Sequence, residues 1–212
     1  MKRPPDLSVY VIFDIEYIES LKKIPLKCLL SAVQGGATAV QLRSKYMDDR
    51  SFYIMALKAK KICRRHNCAF IINDRVAAAM ASGADGVHVG QSDLPYAAVK
   101  KLVKKSMLIG LSASNINEAA ACDRLKADYV GVGPVFSTPQ KMTGAMGIDA
   151  LKKIAAKITT PLVAIGGING YNIGRLKNIG IKNFSFISAV FSADDIRGRT
   201  RSIKSIINSK EI

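Results

Sequence analysis

Short apolar runs alternate with amphipathic stretches along the whole chain, and this alternation constrains the fold more than any other feature. Most of the apolar runs are continuous rather than interrupted by polar residues, which is typical of parallel strands covered by helices. The segments between them repeat apolar residues at helical spacing, and several end in glycine or lysine, as helices often do. The predicted strands are residues 8–13, 38–43, 69–74, 86–90, 107–113, 128–136, 161–168 and 184–190.

Eight strand-and-helix units predict an α/β fold, the (β/α)8 TIM barrel. The 212 residues give about 26 residues per unit and leave no linker, so we expect a single barrel domain over residues 1–212. A doubly wound open sheet is the alternative. It usually has fewer strands, and the first strand of this chain is not followed by the glycine-rich dinucleotide fingerprint.

Composition and charge argue against several kinds of partner. The chain has no run of about 18 apolar residues, and its N-terminal apolar stretch is too short for a signal peptide, so we expect no membrane association. Its four cysteines form no disulfide framework, which favours a reducing cytoplasm. The net charge of +16 could favour binding of nucleic acid. The cations, however, are spread over predicted helix faces, and no recognition motif is present. We therefore expect no nucleic-acid partner, and we interpret the charge as attraction for anionic substrates.

Polar side chains cluster where the predicted strands end. In a barrel, the carboxyl ends of all strands lie on one face, and that face carries the active site. The candidates are Gln41, Arg43 and Lys45 at the end of the second strand, Asn73 and Asp74 at the end of the third, Asp93 after the fourth, Ser112 in the fifth, Thr138, Gln140 and Lys141 after the sixth, and Ile187 and Ser188 in the eighth. His88, within the fourth strand, is predicted to be packed core, with a hydrogen-bonding role near the site as the alternative.

Two carboxylates and two cations share one side of this face. Taken alone, Asp74 or Asp93 would be interpreted as the N-cap of the following helix. Together with Arg43 and Lys45 on an adjacent strand end, they indicate a different role. Carboxylates can hold Mg²⁺ while the cations hold diphosphate oxygens, so the sequence predicts a magnesium–diphosphate site.

A second anion site is predicted on the other side of the face. Gly166 and Gly167 end the seventh predicted strand, and a tight turn with positive φ is their ordinary role. In barrels, however, the loops after strands seven and eight often bind phosphate through backbone N–H groups. With Ser188 on the next strand, we favour a phosphate site without metal.

The segments VQLRSK, IINDR, ADGVHVGQSDLP, DYVGVGPVFSTPQK, VAIGGI and FISAV, in this order, resemble thiamine-phosphate synthase over nearly the whole chain. That family is a (β/α)8 barrel. The resemblance implies a transferase that joins hydroxymethylpyrimidine diphosphate to hydroxyethylthiazole phosphate and releases diphosphate. It also implies Mg²⁺ as the cofactor, with Asp74 and Asp93 as its ligands.

The resemblance further assigns the remaining strand-end residues to the two substrates. Those implied to bind the pyrimidine diphosphate are Gln41, Arg43, Lys45, Asn73, Ser112 and Lys141. Those implied to surround the thiazole phosphate are Thr138, Gln140, Gly167, Ile187 and Ser188. Arg43, Lys45, Ser112 and Lys141 are expected to be catalytic, because charge builds on the leaving diphosphate. No protein nucleophile is needed, since the amino group of the ring stabilises the pyrimidinylmethyl cation.

Other functions remain as alternatives. One is a thiazole tautomerase, a branch that resembles this sequence in fold but places a histidine where this chain has Ser114. Another is a ligand-binding regulator without catalysis, because a fold alone does not prove activity. The chain also departs from the synthase pattern at Gln140, where threonine is common, and in the short loop 141–147. The sequence leaves open whether the protein is a homodimer.

Overall fold

The computed structural model describes residues 5–137 and 144–209, and its centre is a closed barrel of eight parallel strands. Each strand pairs with the next along the chain, and the eighth pairs with the first. The strands are β1 Val9–Asp14, β2 Ala39–Arg43, β3 Ala69–Asn73, β4 Gly86–Val89, β5 Leu108–Ala113, β6 Tyr129–Val132, β7 Leu162–Ala164 and β8 Asn183–Phe186. The predicted (β/α)8 TIM barrel is thereby confirmed.

The helices of the described residues follow from local signals in the sequence. They are α1 Ile15–Ser20, α2 Pro25–Gly35, α3 Asp49–Arg65, α4 Val76–Ser82, α5 Tyr96–Leu102, α6 Ile116–Arg124, α7 Gly147–Lys157, α8 Ile173–Lys177, α9 Ser188–Phe191 and α10 Ile196–Asn208. Pro25 begins α2, and Gly36 ends it with a φ of 107°. Asp48 caps α3 by accepting a hydrogen bond from the N–H of Ser51. Within the described ranges, no helix has the length and apolar character needed to span a membrane.

The core has two layers. The larger one lies between strands and helices and includes fully buried Phe13, Leu42 and Phe70, each worth roughly 2–3 kcal/mol of burial free energy. The smaller one lies inside the barrel and contains Tyr10 and Tyr129 among its members. Because the interior layer carries hydroxyl groups, the floor of the barrel is polar as well as packed.

Strands six to eight are shorter than the sequence predicts. β6 ends at Val132, directly before the cis peptide bond between Gly133 and Pro134, and proline has no N–H to donate to a neighbouring strand. β7 ends at Ala164, and the glycine turn with positive φ follows it. β8 ends before Ser188, which begins α9 instead of continuing the strand. β6 and β7 therefore end several residues earlier than expected, and after β8 only Ile187 precedes α9.

Candidate active site

A cavity of about 1090 Å³ opens at the carboxyl ends of the strands. This volume is at the upper end of the range for small-molecule sites, so it can hold a large ligand or two smaller ones. The predicted site residues that line it are Gln41, Arg43, Lys45, Asn73, Ser112, Gly167, Ile187 and Ser188. Asp74 and Asp93 are not among the lining residues: Asp74 directly follows the lining residue Asn73 in the sequence, and its carboxyl group is hydrogen-bonded to that of Asp93. The predicted residues Thr138, Gln140 and Lys141 lie outside the described residues.

Arg43 is held in the site by a carboxylate of β1. Arg43 and Asp14 are register partners at the ends of β2 and β1, and the Arg43 guanidinium donates a hydrogen bond to the Asp14 carboxylate. Asp14 is only 5% exposed, and it also caps α1 through the N–H of Tyr17 at 3.0 Å. The sequence predicts that Arg43 points at the paired aspartates, but its direct partner is Asp14. Asp14 ends an apolar run just as Asp74 does, and this signal could have identified it.

Asp74 and Asp93 do not cap the helices that follow them. Neither α4 nor α5 has a side-chain N-cap hydrogen bond. Asp74 has a φ of 58° and accepts a hydrogen bond from the amide of Asn73 at 2.5 Å. Asp93 accepts the N–H of Gly90 at 2.7 Å, within its own loop. The ordinary interpretation of both aspartates as helix caps is therefore wrong.

The two aspartates form a close carboxylate pair. Desolvation and the hydrogen-bonded, like-charged carboxyl group of Asp93 raise the pKa of Asp74 to about 6, against the opposing effects of Arg43 and Asn73. A cation between the two groups would relieve this repulsion, and carboxylate oxygens are ligands that Mg²⁺ prefers. In the part of the chain that the structure describes, no cluster of three or more His, Cys, Asp or Glu side chains could hold a metal. Two carboxylates fit Mg²⁺, which commonly takes one or two carboxylates from the protein and completes its shell with water and phosphate.

A chain of hydrogen bonds crosses the floor of the cavity. Ser112 Oγ lies 2.9 Å from His88 Nε2, and His88 Nδ1 lies 3.0 Å from the Tyr129 hydroxyl. That hydroxyl lies 2.8 Å from the Tyr10 hydroxyl, to which Gln41 Nε2 donates at 2.8 Å. Two predicted substrate-binding residues, Gln41 and Ser112, are thus the ends of one network. His88 is buried as expected, and its hydrogen bonds also place it in the site, which is the alternative left open by the sequence.

Burial keeps the two phenol groups of this network neutral. It raises the pKa of both Tyr10 and Tyr129, so both phenols stay neutral near pH 7. A neutral hydroxyl can donate one hydrogen bond and accept others, which lets the two tyrosines connect Gln41 to His88. The two phenols therefore give the floor neutral hydrogen-bonding groups.

We expect Tyr129→Phe to lower the free energy of unfolding by about 1–3 kcal/mol, because it leaves His88 and Tyr10 with fewer buried hydrogen-bond partners. Urea denaturation followed by circular dichroism measures the change. Tyr53→Phe is the matched control, since Tyr53 lies on the outer face of α3 and is 37% exposed. Equal stability of the two variants would contradict the importance of the network.

In the turn after β7, two glycines expose main-chain atoms on the other side of the cavity. Gly166 and Gly167 have φ values of 97° and 65°. A Cβ atom on Gly167 would lie 2.7 Å from both the Phe136 Cβ and the Ser137 carbonyl oxygen, so a larger residue does not fit. Asn172 donates a side-chain hydrogen bond to the Gly167 carbonyl at 2.9 Å and fixes the turn.

One further polar group faces this cavity, and the sequence does not predict it. Ser185, in β8, is 5% exposed, and its hydroxyl has no hydrogen-bond partner among the described residues. Buried hydroxyls are usually hydrogen-bonded, so this one is available to a ligand. Nothing in the apolar eighth run distinguishes Ser185 from a core position.

Comparisons with known proteins agree on one family. Residues 9–190 match a family model described as thiamine monophosphate synthase. The thiamine-phosphate synthase of Ruminiclostridium cellulolyticum is 40% identical over 99% of this chain and 100% of its own length. That of Coprothermobacter proteolyticus is 42% identical over 95% of each chain. The solved structure of a thiamine phosphate pyrophosphorylase from Pyrococcus furiosus superposes with a TM-score of 0.88, at 33% identity and 96% coverage of both chains.

Proposed function

The chain belongs to the thiamine monophosphate synthase family, and we propose that its cavity joins hydroxymethylpyrimidine diphosphate to hydroxyethylthiazole phosphate. The products are thiamine phosphate and diphosphate, so the protein is a transferase of thiamine biosynthesis. The observation that carries the assignment of subsites is the asymmetry of the cavity. Cations and paired carboxylates lie on the side of β2 to β4, and the glycine turn after β7 lies on the opposite side.

On the first side, Asp74 and Asp93 would hold Mg²⁺. When bound there, Mg²⁺ neutralises charge on the diphosphate oxygens and makes diphosphate a better leaving group. Arg43 and Lys45 act on the same oxygens from the end of β2, and Asn73 adds an amide donor. Lys141, which lies outside the described residues, is proposed to approach the diphosphate from the loop after β6.

The pyrimidine ring is proposed to rest on the floor of the cavity, between Gln41 and Ser112. Their amide and hydroxyl groups can hydrogen-bond a heterocycle, and the network behind them fixes their orientation. Ser112 beside His88 resembles a nucleophile with its base. The other ring nitrogen of His88 lies 3.0 Å from the Tyr129 hydroxyl, the position at which a catalytic triad has a carboxylate. Ser112 is proposed to bind and orient the substrate, as a member of the catalytic set with Arg43, Lys45 and Lys141.

The thiazole phosphate is proposed to occupy the side of β7 and β8. Its phosphate would meet backbone N–H groups at Gly167 and the hydroxyl of Ser188, and the ring would pack on Ile187. Thr138 and Gln140, outside the described residues, are proposed to complete this subsite. Holding both substrates in one cavity places the thiazole nitrogen next to the carbon that loses diphosphate, which replaces an encounter in solution by a reaction between bound neighbours.

Incubation of the purified protein with both substrates and Mg²⁺ tests the proposed function. We expect thiamine phosphate and diphosphate in equal amounts, measured by mass spectrometry and a coupled diphosphate assay, and no product when a chelator is present. A parallel incubation with the thiazole alone detects tautomerase activity. Isomerisation of the thiazole without formation of thiamine phosphate would contradict the proposal.

A further inference from the structure

The turn at residues 44–47, here called the β2 turn, carries Lys45 and is anchored by a carboxylate of α1. Glu16 Oε1 accepts hydrogen bonds from the Ser44 hydroxyl, from the Lys45 N–H at 3.0 Å and from the Tyr46 N–H at 3.2 Å. Three donors from consecutive residues thus converge on one oxygen atom. This arrangement fixes both the position and the direction of the β2 turn relative to β1.

A second side chain holds the same turn from the opposite direction. Arg75 donates to the Met47 carbonyl at 2.7 Å and to the Ser44 carbonyl at 3.5 Å. Arg75 is itself held by an ion pair with Asp49 at 3.0 Å, and its guanidinium lies 4.4 Å from the centre of the Phe52 ring. The β2 turn is therefore held between α1 and the loop after β3.

These bonds leave the Lys45 ammonium available. In the described part of the chain, the Lys45 side chain has no hydrogen bond or ion pair, and it lines the cavity. The second oxygen of Glu16, Oε2, is buried without a hydrogen-bond partner in the same part, so the hydrogen bonds of this carboxylate all go to the turn. Burial opposes the ionisation of Glu16, but the hydrogen bonds from Ser44 and the turn outweigh it and lower the pKa, which keeps the group charged at neutral pH.

A charged carboxylate is an unexpected neighbour for a diphosphate site. Its direct effect on an anionic ligand is repulsion, so charge alone would favour a neutral residue at this position. The hydrogen bonds of Glu16 offset this repulsion by holding the turn that carries Lys45. A cation that is already in place binds an oxyanion without the entropic cost of being ordered.

We propose that Glu16 is a positioning residue for the diphosphate subsite, which holds the β2 turn so that Lys45 stays directed into the cavity. This inference rests on the proposed function, which places the pyrimidine diphosphate beside Lys45. Glu16 also lines the cavity, but its hydrogen bonds go to the β2 turn, and it acts through that turn.

The test compares Glu16→Ala, Glu16→Gln and the matched control Glu19→Ala, which removes a carboxylate from the exposed end of the same helix. We expect Glu16→Ala to raise the KM for the pyrimidine diphosphate, and the Kd for inorganic diphosphate with Mg²⁺ measured by calorimetry, by about tenfold or more. The KM for the thiazole phosphate should stay unchanged. Glu16→Gln keeps a carbonyl acceptor for the turn and should stay within about threefold of the wild type.

Other outcomes would overturn this role. If Glu16→Ala binds diphosphate as Glu19→Ala does, the turn does not need the carboxylate. If both Glu16 variants bind diphosphate more tightly, repulsion outweighs positioning. If Glu16→Ala weakens the binding of both substrates equally and lowers the Tm, the substitution acts on the stability of the fold. A wild type that binds diphosphate but forms no thiamine phosphate would instead overturn the proposed function, and the diphosphate titrations of the variants would still decide the role of Glu16.

Discussion

Asp74→Asn is expected to lower kcat by about 10²- to 10³-fold while the protein stays folded. The change keeps the shape of the side chain and removes the negative charge that we propose binds Mg²⁺. Asparagine also tolerates the φ of 58° at this position, whereas alanine would add backbone strain. Since Asp93 crowds Asp74 with a like charge, loss of one charge should not lower Tm in the absence of metal.

Steady-state kinetics at saturating Mg²⁺ and a thermal melt measure these two effects, and Asp93→Asn should behave in the same way. Mg²⁺ with diphosphate should raise the Tm of the wild type, because a ligand that binds the folded state stabilises it, and should raise that of either variant much less. Asp194→Ala is the control, since Asp194 is an exposed aspartate between α9 and α10. Full activity of either Asn variant, or activity of the wild type in excess chelator, would disprove the metal site.

The number and order of the barrel strands could be predicted from the sequence, but the ends of the last three strands could not. Apolar runs predict strands because a parallel strand is buried on both faces. In this barrel, each of the segments after β6, β7 and β8 contains a buried apolar residue, and Val135, Ile168 and Val190 are 0%, 4% and 0% exposed. The apolar pattern therefore continues past the point where the hydrogen-bonded ladder stops, and the sequence overestimates the length of these strands.

The candidate site also contains one set of residues that the sequence predicts and another that it does not. Residues at the ends of strands could be predicted, because the fold itself brings those ends together. The groups that hold them could not, because their partners are distant in sequence. Tyr10 and Tyr129 are 119 positions apart, and Asp14 and Arg43 are 29 positions apart. In the sequence alone, each of these four residues has the pattern of an ordinary buried or strand-end residue.

Gly167→Val is expected to weaken thiazole-phosphate binding by more than about a hundredfold while pyrimidine diphosphate still binds with Mg²⁺. A β-branched residue is strained at a φ of 65°, and its Cβ would lie 2.7 Å from the Ser137 carbonyl, so the turn must move. Calorimetry with each ligand separately measures both affinities. Gly180→Val is the matched control, because Gly180 has a φ of 84° but a Cβ added there would meet open space, and it lies outside the cavity lining. Equal loss of both ligands would indicate a folding defect, and normal thiazole binding would place the phosphate elsewhere than at this turn.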